Sequence, residues 1–174
     1  TKAYVASRIV KDAVENYIRH KADESITSTI DAEGIKQTAK SRLEQEKSCF
    51  PAKASGLRSR LVRDYPTTLA LITSQITDEG SLVNSYWAGE SRNFLWTQEG
   101  FYQISKDDLD SELEPLENLR NDAALSNCVC ADRDFFINQK AITVQGKYIL
   151  ISATDGCFGY FLTPMHFLNV LLAG

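Results

Sequence analysis

The sequence predicts an α+β domain with helices at both ends and antiparallel strands between them. Three observations carry that prediction: apolar residues recur at helical spacing near each end, two β-rich hairpin patterns occupy the middle, and a further β-rich pair precedes the last helix. With 174 residues, 43% of them hydrophobic and 24% charged, the chain suits one domain with a sizeable core. A net charge of -4 gives little attraction for nucleic acid or an anionic membrane surface, so neither is expected as a partner. No apolar run approaches the span of a bilayer and no signal-peptide pattern is present, so the expected location is the cytoplasm. The only methionine is Met165, and Thr1 already lies in a helical pattern. These residues are therefore expected to be part of a longer chain.

Residues 3–20 place Ala6, Ile9, Val10, Ala13, Val14, Tyr17 and Ile18 on one face and mostly charged residues on the other, predicting a long amphipathic helix. Residues 29–47 repeat the pattern with a narrow stripe of Ile35, Ala39 and Leu43, and Asp31 is placed to cap it. Periodicity is lost over 48–65, where Pro51, Gly56, Lys53, Arg58, Arg60 and Arg63 predict an irregular, solvated connection. Residues 67–76 and 81–88 read as strands joined by Thr77-Asp78-Glu79-Gly80, and residues 93–97 and 101–105 as strands joined by Gln98-Glu99-Gly100. Connectivity alone makes these a single antiparallel meander. An acidic stretch over 106–127 predicts a short or broken helix around Pro115 with solvated carboxylates. Residues 135–144 and 147–152 form another expected strand pair, and Thr163-Pro164 opens a helix through Leu172 with Thr163 as N-cap.

Chemistry concentrates in two places. In Tyr148 to Gly156 an apolar strand gives way to Asp155-Gly156, which presents one carboxylate at the strand tip; taken alone, such a pair is more often a turn. Ala88-Gly89-Glu90-Ser91-Arg92 lies between two strands, where the bland alternative is an exposed turn with Glu90 and Arg92 weakly paired. A serine-hydrolase elbow is excluded there, because Asn93 replaces its second glycine and a strand follows. His20 and His166 sit in helical patterns as surface or cap residues, and an N-terminal threonine nucleophile is rejected because Thr1 heads a helix. The four cysteines are scattered, so reduced thiols are expected, and Cys128-x-Cys130 lacks the spacing and second pair of a structural zinc site.

The order of these segments resembles the metal-dependent protein serine/threonine phosphatases of type 2C. Pro66-Thr67-Thr68-Leu69-Ala70 is similar to that family's Gly-Thr-Thr-Ala, and Trp87-Ala88-Gly89-Glu90-Ser91-Arg92 to its Val-Gly-Asp-Ser-Arg. Residues 101–108, Phe-Tyr-Gln-Ile-Ser-Lys-Asp-Asp, resemble Leu-x-x-Leu-Thr-x-Asp-His, and Tyr148 to Gly156 resembles Leu-Leu-Leu-x-Ser-Asp-Gly. The resemblance runs from about Ala3 to the final helix.

It implies a four-layer α-β-β-α sandwich of two stacked antiparallel sheets flanked by helices, with residues 1–174 forming one such domain truncated at both ends. It also implies hydrolysis of phosphoserine and phosphothreonine on a phosphorylated protein substrate. The attacking group would be a water activated by two or more Mg²⁺ or Mn²⁺ ions, with no protein nucleophile. Asp155 matches the family's metal-ligating Asp. Glu90 matches the Asp of Gly-Asp-Ser-Arg, linked to a more weakly held ion, and its longer side chain departs from the pattern. Asp108 stands where the family has His, and Asp107 matches the preceding Asp, with capping as its simplest role. The family's bridging Asp-Gly-x-Gly-Gly loop and its N-terminal Arg and acidic residues are expected before Thr1, and its last ligating Asp after Gly174. This piece alone is accordingly expected to be inactive. The alternative is a catalytically inactive relative that uses the fold for regulation or binding.

Overall fold

The first helix, α1, spans Lys2–Glu24 and buries Ala6, Val10, Ala13 and Val14, as its spacing predicts. Helix α2, Ala32–Cys49, packs on it and buries Ile35, Ala39 and Leu43. Asp31 is its N-cap: Gly34 N–H donates to Asp31 Oδ1 at 2.7 Å, and Ile35 N–H to its carbonyl at 3.2 Å. Tyr17 closes against Gly34, where a Cβ would fall 2.1 Å from the Tyr17 hydroxyl. The computed structural model describes residues 2–24, 30–49, 64–109, 125–159, 161 and 163–173. The basic connection and the helix expected around Pro115 lie outside these.

Two compact units are present, the first comprising residues 1–68 and 128–137. In it, Thr67 and Val129 exchange backbone hydrogen bonds at 2.9 and 3.0 Å. Asp64 accepts from Lys2 at 2.9 Å, lies 3.4 Å from Lys47 Nζ and donates its own N–H to Asp132 at 2.8 Å. Asp64 thus ties the start of α1 and the end of α2, through its carboxylate, to the segment that carries Val129, through its backbone N–H. Lys36 and Lys40 of α2 pair with Asp134.

The second unit, residues 69–127 and 138–174, holds six strands among its described residues: β1 Leu69–Thr77, β2 Gly80–Ala88, β3 Arg92–Thr97, β4 Gly100–Gln103, β5 Asn138–Val144 and β6 Tyr148–Ala153. Both hairpins form in the expected places, with Thr77 paired to Gly80 and Thr97 to Gly100. Gly80 at φ +130° takes up the bend, and a Cβ there would lie 2.6 Å from the Val144 carbonyl oxygen.

The single meander is not what forms. All pairing is antiparallel, but the strands divide into two sheets ordered β1-β2-β5 and β4-β3-β6. The two hairpins therefore lie in different sheets. Nor do β5 and β6 pair with each other: β5 joins β2, and β6 joins β3. The chain changes sheet at Gly89 (φ +94°) between β2 and β3, again between β4 and β5, and a third time at Gly146 (φ +75°) between β5 and β6. Burial drives the split, because two stacked sheets share one interior that a flat six-stranded meander would leave wet.

That interior holds Val83 and Val144 from one sheet and Leu95 from the other, with Ile104, and Ile72, Ile142, Tyr148 and Leu150 pack around them. Side chains alternate along β3, so Asn93 and Leu95 face the first sheet while Phe94 faces away. Phe94 meets Phe101, Phe158, Phe167 and Leu168, which roof the second sheet with two more helices, α3 Asp155–Phe158 and α4 Pro164–Ala173. Thr163 caps α4 as expected, accepting from His166 N–H at 3.1 Å. Two antiparallel three-stranded sheets with helices make the predicted α+β class.

Candidate functional site

The register of β3 with β6 decides which segments meet. Arg92 pairs with Ala153, the first residue of one strand against the last of the other. Beyond that pair the chains leave the ladder at the same end of the sheet, one through Ser91-Glu90 and the other through Thr154-Asp155. Residues 65 positions apart in sequence thus share one sheet edge.

Asp155 is exposed, as its place at the tip of an apolar strand predicts, but it opens a short helix rather than a turn. Thr154 is extended (φ -88°, ψ 164°), and Cys157 N–H donates to its carbonyl at 2.8 Å. Gly159 N–H donates to the Asp155 carbonyl at 2.6 Å. Glu90 is half-buried in the turn from β2 to β3.

Arg92 is not the exposed turn residue that the bland alternative describes. Its Nε donates to both Asp107 oxygens, at 2.9 and 3.1 Å, and its Nη2 also bonds Asp107 Oδ2. The side chains are only 21% and 15% exposed, so this bidentate pair is shielded from water and screened less than a surface pair. The guanidinium lies 4.2 Å from the Phe158 ring centroid. Asp107 therefore does not merely cap; it holds Arg92.

Asp108 is equally committed. Its Oδ2 accepts from Gly89 N–H at 3.0 Å and from Asn127 Nδ2 at 2.8 Å, and both of its oxygens lie 3.1 Å from Asn138 Nδ2. Its backbone N–H returns a bond to the Gly89 carbonyl at 3.0 Å. These two carboxylates were expected to be solvated, and each is instead drawn in by donors distant in sequence. No local signal marks the pairings, because Arg92 and Gly89 lie 15 and 19 residues away.

Asp107 and Asp108 are thus engaged with Arg92 and the Gly89 turn, while Asp155 and Glu90, the two positions that match the family's metal-ligating carboxylates, lie in the segments that leave the ladder at this edge. Among the described residues no three His, Cys, Asp or Glu side chains cluster so as to hold a metal ion. A centre of two divalent ions draws on more carboxylates than that, so the described residues do not by themselves fit one. His20 and His166 are exposed, and Cys49, Cys128, Cys130 and Cys157 are free thiols. Cys128 and Cys130 are buried; the hydrogen bond with Cys128, and then burial, push the Cys130 thiol far above its ordinary range. No described helix is long and apolar enough to cross a membrane.

No family model matches the sequence, and no curated protein matches it. Solved structures do. The Mycobacterium tuberculosis serine/threonine phosphatase PstP/Ppp superposes with a TM-score of 0.63 at 12% identity, covering 98% of this chain and 74% of that one. The catalytic domain of the serine/threonine protein phosphatase PstP in complex with two manganese ions gives 0.60 at 14% identity, over 87% and 62%. PppA, a key regulatory component of T6SS in Pseudomonas aeruginosa, gives 0.51 at 16%, over 85% and 59%. For the latter two the chain spans about six-tenths of the partner's length. Paired sheets, with the likeness extending over almost the whole chain, show that this protein has the fold of the type 2C protein serine/threonine phosphatases.

Proposed function

We propose that residues 1–174 are the larger part of one phosphatase domain that, in its full-length form, hydrolyses phosphoserine and phosphothreonine on protein substrates in a Mg²⁺- or Mn²⁺-dependent reaction. The observation that carries this reading is the convergence of the Glu90 turn and Asp155 at one edge of a sheet in this fold. Asp155 and Glu90 are the ligands this chain would contribute, and the remaining carboxylates would come from outside these residues. No side chain here is asked to act as a nucleophile. The 174-residue piece alone is then inactive, and the full-length protein works in the cytoplasm without nucleic acid or membrane.

A second reading has its own support. The longer Glu90 in place of the family's Asp suits an inactive phosphatase-like domain that binds or regulates.

Hydrolysis of p-nitrophenyl phosphate by the full-length protein, with and without Mn²⁺ or Mg²⁺, separates the two. The enzyme reading expects strict dependence on the ion and loss of most activity in Asp155→Asn. Wild-type rates in that variant would reduce Asp155 to a helix-start residue, and no turnover in the wild type would leave the binding role.

A further inference from the structure

We propose that the Asp107-Asp108 dipeptide and Arg92 form a positioning brace that holds both candidate ligand segments, the Glu90 turn and the helix of Asp155, in one arrangement. This rests on the phosphatase reading for its functional consequence, though not for its structural one. Asp108 grips the turn from both sides, since its carboxylate accepts from Gly89 N–H while its own N–H donates to the Gly89 carbonyl. Asn127 and Asn138 hold that carboxylate in place. Asp107 grips the other arm through Arg92. The bidentate pair fixes the plane of the guanidinium, and that plane lies against Phe158, three residues after Asp155 and in the same helix. Gln103 Nε2 steadies Asp107 at 3.3 Å.

The two arms have different anchors but one origin. Adjacent peptide units cannot move independently by more than the slack of one φ/ψ pair, so a shift of either arm is felt by the other. The Phe158 ring is buried in the aromatic roof, against Phe94 at 6.0 Å and Phe167 at 6.4 Å between centroids, so it transmits the position of Arg92 instead of absorbing it. Arg92 and Asp107 are positioning residues; neither is assigned contact with substrate.

The test uses the full-length protein, with amide hydrogen exchange resolved by residue in Arg92→Ala, Arg92→Lys and the wild type. The brace predicts that the Cys157, Gly159 and Phe161 amides exchange about tenfold faster in Arg92→Ala, while the β3–β6 ladder keeps its protection. Arg92→Lys keeps a charge for Asp107 but loses the planar stack, so it should fall between the two. With p-nitrophenyl phosphate, kcat should fall about tenfold in Arg92→Ala with KM within threefold, and Arg92→Lys should recover part of it. Unchanged exchange at Cys157, Gly159 and Phe161 in both variants would overturn the brace. Faster exchange there in a protein whose wild type hydrolyses nothing would leave the brace standing and remove the phosphatase reading.

Discussion

Asn93 offers the sharpest quantitative test of how the two sheets are held together. It has no solvent exposure, and its Nδ2 faces three acceptors: the Leu71 carbonyl at 3.1 Å, Ser85 Oγ at 2.9 Å and the Tyr86 carbonyl at 3.0 Å. Its Oδ1 accepts from Ser152 Oγ at 2.7 Å. An amide has only two N–H groups, so the three acceptors share two protons and the residue supplies about three hydrogen bonds in all. At about 1 kcal/mol net for each, plus a part of the desolvation cost of the acceptors left behind, Asn93→Ala should cost about 3–4 kcal/mol. That is a large share of the roughly 5–15 kcal/mol available to a domain. Equilibrium urea unfolding reads it as a lower midpoint at an unchanged slope. Asn93→Asp should be worse than Asn93→Ala, because a carboxylate would face two backbone carbonyls without a counter-charge. A loss below about 1 kcal/mol in Asn93→Ala would refute the idea that Asn93 holds the sheets together, because the bonds would then be no better than those made with water.

Thiol titration of the native protein should label the exposed Cys49 and Cys157 quickly, and Cys128 and Cys130 only after denaturation. Gly80→Ala should destabilise the first hairpin by about 1–3 kcal/mol, seen as a lower melting temperature, because φ is +130° and the new Cβ meets the Val144 carbonyl. The Lys2 ammonium beside Asp64 holds its carboxyl below the ordinary 3.8, so the stability it contributes is complete above that value and lost as pH falls through the lower, folded-state one. Thermal melts of the wild type and Asp64→Asn should therefore differ at pH 7, and the difference should shrink only as the pH falls below 3.8.

Much of the local structure was legible in the residues. Asp31 and Thr163 announced their helices because an N-cap is a contact over three residues, and Ile35, Ala39 and Leu43 are buried because a helix repeats within each turn. Residues 147–152 read as a strand, the structure has one over Tyr148–Ala153, and Asp155 does emerge exposed beyond its end. Strand partnership was not legible in the same way. Residues 135–152 look like a hairpin, yet Val144 and Tyr148 pack into the shared interior from different sheets. Asp107 reads as a cap until Arg92 is brought beside it.

The sequence by itself determined the α+β class, the caps, the glycine-bearing turns and the two segments where a carboxylate can stand at a strand end, because each depends on neighbours within a few residues. Only the tertiary structure decided which strands share a sheet, that the Glu90 turn and Asp155 leave at the same edge, and that Asp107 and Asp108 face inward. Those outcomes are set by burial and by charge pairs formed across long loops, and no local pattern of residue types encodes which distant face will be covered.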